Sequence, residues 1–383
     1  MTYLDHAATT PVLPEVIAAI SQAMTLTGNA SSLHTSGRAA RRRIEESREA
    51  IAAALGARPS EVVFTSGGTE SDNLAVAGIY RARVAADPRR HRIIAPAIEH
   101  HAVLDVIEHL VADAGAAVTW LEVDDFGRVH ADTLAAAIAE NPADVALVTV
   151  MWANNEVGTV NPIRELAEVA HTQGIPFHTD AVQAVGHVEV DFADVGADLL
   201  SVSAHKVGGP VGIGALLVRR GVRLRPSGFG GGQEARLRSG TVGVALAAGF
   251  AAALREAIAE LPAEAVRLGA LRADLLAGLV AVPGVAASVA GPVSPAIAHV
   301  VVEGTRADDV LLLLDAAGID CSTGSACTAG VHQPSEVLLA MGRDRASASA
   351  ALRFSFGPGS GPDAVAAVLA AFPEAVRRAR LAA

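Results

Sequence analysis

Between about residues 60 and 220 the chain alternates short Val- and Ile-rich runs with longer amphipathic stretches. βαβ units produce this alternation, because a strand buried on both faces reads as a short apolar run and its crossover helix keeps one polar face. The strand runs are Glu61–Thr65, Arg92–Ala95, Ala117–Leu121, Asp144–Val150, Pro176–Thr179, Leu199–Ser203 and Ile213–Val218. Helices are expected between them, as at Thr69–Ala85, Ala102–Ala114 and Ile163–Gln173, with a long surface helix at Ser36–Leu55 ahead of the sheet. The fold class is therefore α/β, with a large domain built on a mostly parallel sheet of seven strands.

After Val242 the pattern changes. An Ala-rich helix runs to about Glu260, Pro262 is expected to break it, and a further helix starts near Glu264. An alternating run Ala296–Val302, a helix from Arg306, a strand Leu352–Phe356 and a last helix complete a smaller C-terminal α/β domain. The boundaries expected are 15–255 for the large domain, and 1–14 together with 256–383 for the small one.

In open α/β sheets ligands gather outside the carboxyl ends of the strands. Four of the runs end in polar residues there: Ser66-Gly67-Gly68-Thr69, Asn154-Asn155-Glu156, Asp180 with Gln183, and His205-Lys206. A glycine-rich turn between a strand and a helix presents backbone N–H groups and a hydroxyl to a phosphate, although the same residues also make an ordinary capped turn. Of the 30 Lys plus Arg, one is lysine, Lys206. A chain that otherwise uses arginine for its cations has placed its one deprotonatable amine in a glycine-rich turn beside a histidine. Such an amine forms an imine with a carbonyl, and Asp180 is suited to keep a pyridine nitrogen protonated, which is what makes pyridoxal phosphate an electron sink.

The rest of the composition sets limits. A formal charge of -11 argues against nucleic acid or an acidic membrane as a direct partner. The longest apolar stretch, Val242 to Leu254, falls short of the roughly 18 residues of a membrane span. The start MTYLDHAATT has no basic and apolar signal pattern, and two cysteines, Cys321 and Cys327, make neither a disulfide framework nor a zinc site, so a reducing cytoplasm is expected and no intrinsic metal.

The segments SGGTESDN (66–73), EHHAVLD (99–105), NNEVG (154–158), HTDAVQAVG (178–186), SAHKVGGPVGIG (203–214), RSGT (238–241), STGSACT (322–328) and LRFSFG (352–357) occur in this order. With LDHAATTP (4–11), they resemble the cysteine desulfurases of the NifS/IscS type, pyridoxal-phosphate enzymes of the class V aminotransferase group with the fold type I architecture. The resemblance covers nearly the whole chain. It departs at Val211, where the family often has a second lysine, and at Ala204 and Trp152.

The resemblance implies a role for each matching residue. Lys206 holds the cofactor and moves the Cα proton, Asp180 pairs with the pyridine nitrogen, Gln183 bonds the phenolic oxygen, and His100 stacks on the ring. Gly68, Thr69, Ser203 and His205 hold the phosphate, and Thr241 completes that cup from the second subunit of a homodimer. Asn155 and Arg353 grip the carboxylate of L-cysteine. Cys327, in a Gly/Ser-rich run that reads as a mobile loop, takes the substrate sulfur as a persulfide and leaves L-alanine. Sulfur-acceptor proteins for iron–sulfur cluster assembly or tRNA thiolation are the implied partners, and Cys327 is a possible transient ligand of a cluster held with one. His101 and Cys321 read as a bystander and a buried thiol. A selenocysteine lyase, or another class V enzyme such as an aminotransferase, is the alternative.

Overall fold

The computed structural model describes residues 1–324 and 333–382; Cys327 and the loop expected around it lie outside them. Strands are β1 (Thr2–Tyr3), β2 (Val62–Thr65), β3 (Arg92–Pro96), β4 (Ala117–Leu121), β5 (Val145–Thr149), β6 (Phe177–Asp180), β7 (Leu199–Ser203), β8 (Gly214–Val218), β9 (Val285–Ala287), β10 (Ile297–Val302), β11 (Ile319–Asp320) and β12 (Ala351–Ser355). A seven-stranded sheet has the order β2-β8-β7-β6-β5-β3-β4. Only β8 runs against its neighbours, so the expected mostly parallel sheet is present.

Strands β2, β3 and β5 to β8 are buried along their whole length, as continuous apolar runs require in a sheet covered on both faces. One face packs against a cluster that includes Ile44, Ile51, Leu166 and Phe250, and the other against Leu74, Ile79, Val103 and Ile107. A separate core joins Leu4 to Leu275, Val300, Phe354 and Phe372 around the antiparallel sheet β12-β10-β9. The N-terminal strand β1 pairs in parallel with β11, more than 300 residues away in sequence.

One expectation fails. Pro262 does not end its helix: Val244–Val280 is a single helix of 37 residues with the proline inside it. A proline costs a helix one hydrogen bond and a steric clash, but here tertiary packing holds both sides. Ala247 to Leu254 are buried in the large core, and Leu268, Leu271, Leu275 and Leu279 in the C-terminal one. The short strands β1, β9 and β11 and the helices Pro14–Met24 and Ala131–Ala139 were not anticipated.

Candidate active site

The carboxyl ends of β2, β5, β6 and β7 open into a cavity of about 500 Å³, large enough for a cofactor and a small substrate. Ten predicted residues line it: Gly68, Thr69, His100, Asn155, Asp180, Gln183, Ser203, His205, Lys206 and Arg353. Thr241 does not; it is exposed just before the long helix. Ser322 and Gly324 on one side of the undescribed residues, and Gln333 and Pro334 on the other, line the same cavity.

The turn after β2 leads straight into the helix Gly68–Ala86, whose first residues, Gly68 and Thr69, line the cavity. A Cβ at Gly68 would lie 2.9 Å from Val182 Cγ2, so a larger residue would have to displace that side chain. Across from it, the Ser203 hydroxyl is buried and has no hydrogen-bond partner among the described residues. His205 Nδ1 lies 3.3 Å from Thr9 Oγ1, and burial followed by the Lys206 charge pushes its pKa down to about 4.

Lys206 sits on a single 3-10 turn, Ala204–Lys206, that follows β7. The turn reverses through Gly208 at φ +75°, a conformation that favours glycine, and a Cβ on Gly209 would strike the Ala204 carbonyl. Lys206 Nζ donates to Ala7 O at 2.6 Å and Ala8 O at 2.9 Å. Burial, then the Arg353 charge, lower its pKa to about 8, against the pull of Asp180 and Asp5. An ammonium poised there gives up its proton more readily than a free lysine, as a nucleophile and base must.

Asp180, at the end of β6, is 5% exposed and accepts from Val182 N at 2.8 Å. Burial pushes its carboxyl up to about 6, while that hydrogen bond and Lys206 oppose the rise. Two further carboxyl groups line the same wall. Asp72 and Glu99 are almost fully buried, and burial with the nearby Asp180 charge raises both well above the usual carboxylate range. Among the described residues, Asp72 Oδ1 and Glu99 Oε2 have no hydrogen-bond partner, with His178 Nε2 3.5 Å from Asp72 Oδ1, and burial favours the neutral form of both carboxyl groups. Neither was anticipated: Asp72 lies within the SGGTESDN segment and Glu99 directly precedes the two histidines, with no pattern that marks them.

His100 caps the helix His101–Ala114, its Nδ1 accepting from Ala102 N at 3.1 Å. Burial, then Lys206, lower its pKa to about 4, leaving a neutral ring at the cavity wall. His101, expected to be a bystander, also lines the cavity, with Nδ1 2.9 Å from Asp105 Oδ1. Gln183 donates to the same Ala7 carbonyl as Lys206, at 2.7 Å. Asn154 is a turn residue: its amide donates to Ile98 O, and its side-chain oxygen accepts from Glu156 N and Val157 N. Asn155 beside it receives Arg353 Nη1 on its carbonyl at 2.7 Å. Arg353, 4% exposed, also donates from Nη2 to Asp5 Oδ1 at 2.8 Å, and its Nε has no partner. Cys321 is half-buried, and burial pushes its thiol up to about 12.

These residues fit pyridoxal phosphate. An unpartnered buried hydroxyl stands beside a glycine-entered helix N-terminus where a phosphate would bind, and a single lysine of lowered pKa shares the cavity with a buried carboxylate. Among the described residues, no group of His, Cys, Asp and Glu is arranged to hold a metal ion.

Comparison with known proteins agrees with this set. The family model described as "Aminotransferase class-V" matches residues 2–368. A protein of Mycobacterium tuberculosis (strain ATCC 25618 / H37Rv) named "IscS-like cysteine desulfurase" is 55% identical over 386 residues, covering 100% of this chain and 98% of that protein. One from Methanosarcina thermophila, named "Cysteine desulfurase IscS", is 42% identical, covering 99% of this chain and 92% of that protein. A solved structure titled "NIFS-LIKE PROTEIN" superposes with a TM-score of 0.91 at 32% identity, over 98% of this chain and 99% of that one. With family model, relatives, fold and cavity in agreement, the chain belongs to the class-V aminotransferase family, among its pyridoxal-phosphate-dependent cysteine desulfurases of the NifS/IscS type.

Proposed function

We propose that this cysteine desulfurase takes sulfur from L-cysteine, releases L-alanine, and carries the sulfur on Cys327 to an acceptor. The observation that carries the residue-level reading is the convergence of Lys206, Asp180, Ser203 and Arg353 on one cavity bordered by both flanks of the Cys327 segment.

Bound pyridoxal phosphate supplies the electron sink that makes the Cα proton of the amino acid removable. Gly68, Thr69, Ser203 and His205 would hold its phosphate, Asp180 would hold a proton at its ring nitrogen, Gln183 would bond its phenolic oxygen, and His100 would stack on the ring. Arg353 and Asn155 orient the substrate carboxylate. Lys206 Nζ would anchor the cofactor and take the Cα proton of the substrate; its lowered pKa suits a base. The Cys327 thiolate attacks the substrate sulfur, the carbon–sulfur bond breaks with its electron pair going to carbon, and that carbon is protonated and leaves in alanine. The added sulfur remains on Cys327 as a persulfide.

Thr241 completes the phosphate cup of a second copy, a reading supported by its exposure and its absence from the cavity of its own chain. The working unit is a homodimer in the cytoplasm. Its acceptors are an iron–sulfur scaffold or a tRNA-thiolation enzyme, and Cys327 serves as a transient ligand of a cluster held with the former. The large domain is 15–255, and the small one is 1–14 with 256–383; the separate C-terminal core that includes Leu4 supports this division.

The test is to incubate the holoenzyme with L-cysteine and a reductant and to quantify alanine and sulfide. Wild type should form both in equal amounts, and Cys327→Ser should lose sulfide. No alanine from wild type, or undiminished sulfide from the variant, would refute the mechanism.

A further inference from the structure

Residues 5–10 lie outside the large sheet, yet they are fastened to two walls of the cavity. Ala7 N donates to Ser355 Oγ at 2.8 Å, tying the segment to β12. Thr10 N donates to His205 O at 2.9 Å and Thr10 Oγ1 to Lys206 O at 3.1 Å, tying it to the lysine turn. Between these ties, the Ala7 and Ala8 carbonyls receive Lys206 Nζ. Two residues before Ala7, the Asp5 carboxylate receives Arg353 Nη2.

The ion pair is enclosed, with the Arg353 side chain 5% exposed and that of Asp5 24%. Because Nη1 is held by the Asn155 carbonyl and Nη2 by Asp5, the plane of the guanidinium is fixed at two points. Its buried Nε has no partner among the described residues.

We propose that Asp5 is a positioning residue for the reaction: it holds the Arg353 guanidinium in the orientation that receives the substrate carboxylate, and it screens Lys206 from that positive charge. The first half rests on the reading of Arg353 as the carboxylate site. The groups acting on Lys206 are Arg353 from β12, Asp180 from β6, Asp5 from the N-terminal segment, and the neutral imidazoles of His100 and His205. Those around Asp5 are Arg353, Tyr3, Asp320 and Cys321. Arg353 lowers the proton affinity of Lys206 and Asp5 raises it, so neutralising Asp5 leaves the guanidinium uncompensated beside the amine. A second anchor is lost at the same time, because a neutral amide grips a guanidinium less firmly than a carboxylate does.

The experiment uses the holoenzymes of wild type, Asp5→Asn, Asp5→Glu and Arg353→Lys. Two readouts are taken: KM and kcat for L-cysteine, and the pH midpoint of the cofactor's absorbance change without substrate. Asp5→Asn should raise KM about tenfold with kcat within about threefold, and should move the midpoint down by about one unit. Asp5→Glu keeps the charge and should hold the midpoint near wild type. If Arg353→Lys raises KM but Asp5→Asn leaves KM and midpoint unchanged, or lowers KM, the proposal fails and the carboxylate site stands. If Arg353→Lys leaves KM unchanged, the carboxylate site itself is wrong and the positioning role falls with it.

Discussion

Two walls of the cavity are built in different ways. The sheet wall takes Ser203, Lys206 and Asp180 from adjacent strand ends, and it keeps polar atoms unspent: among the described residues the Ser203 hydroxyl, Asp72 Oδ1 and Glu99 Oε2 have no hydrogen-bond partner. The other wall carries Arg353, paired with Asp5 348 residues away, and has already closed much of its charge in that ion pair. The first wall is preorganised for a ligand that brings its own charges, since buried polar groups without partners are costly until something pairs with them. The second is largely paired without ligand, with Arg353 Nε left over among the described residues, so an incoming carboxylate meets an arginine that is already held at two points.

The sharpest break of this comparison is on the sheet wall. Lys206→Ala should lower alanine formation by at least about 10⁴-fold, because no other side-chain amine exists to replace it. Borohydride reduction should then leave no cofactor fixed to a side chain, whereas wild type should carry it at residue 206. On the other wall, Arg353→Lys should cost less, about 10- to 100-fold in kcat/KM and mainly through KM, because a lysine keeps the charge but not the planar fork. Steady-state kinetics with L-cysteine checks the split.

A smaller effect separates the walls without substrate. The Asp180 carboxyl is raised from 3.8 to about 6 in the folded protein, so the fold binds its proton more tightly than the unfolded chain does. Its contribution to stability is complete below about pH 4 and is lost as pH rises through 6. The Tm of cofactor-free protein should therefore fall across that window, and Asp180→Asn should flatten the fall. Least affected of all should be Cys321→Ala. A thiol pushed up to about 12 is not a thiolate at neutral pH, so sulfide release should stay within about twofold of wild type.

The difference between the walls also marks what could be read from the sequence. Strand-end residues were legible because a strand and the turn after it are local: β7 and Lys206, or β6 and Asp180, are separated by a few residues at most. Asp5 was part of a recognisable segment, but no periodicity announces a contact with a residue 348 positions away. Asp72 and Glu99 were missed because a buried carboxyl group resembles an exposed one in sequence; burial in the fold, beside Asp180, is what favours its neutral form. Pro262 misled for the converse reason, a local helix breaker overridden by two cores packed on one helix. Strands as short as β1, β9 and β11 span too few residues to show an alternation.

The central claim is that sulfur leaves L-cysteine and comes to rest on Cys327, and a single turnover tests it directly. Holoenzyme is mixed with L-cysteine without reductant, alanine is counted per protomer, and the peptides are mapped by mass. The account predicts one alanine per protomer and one added sulfur atom on the peptide carrying Cys327. Sulfur found on Cys321 instead, or cysteine consumed without alanine, would contradict it.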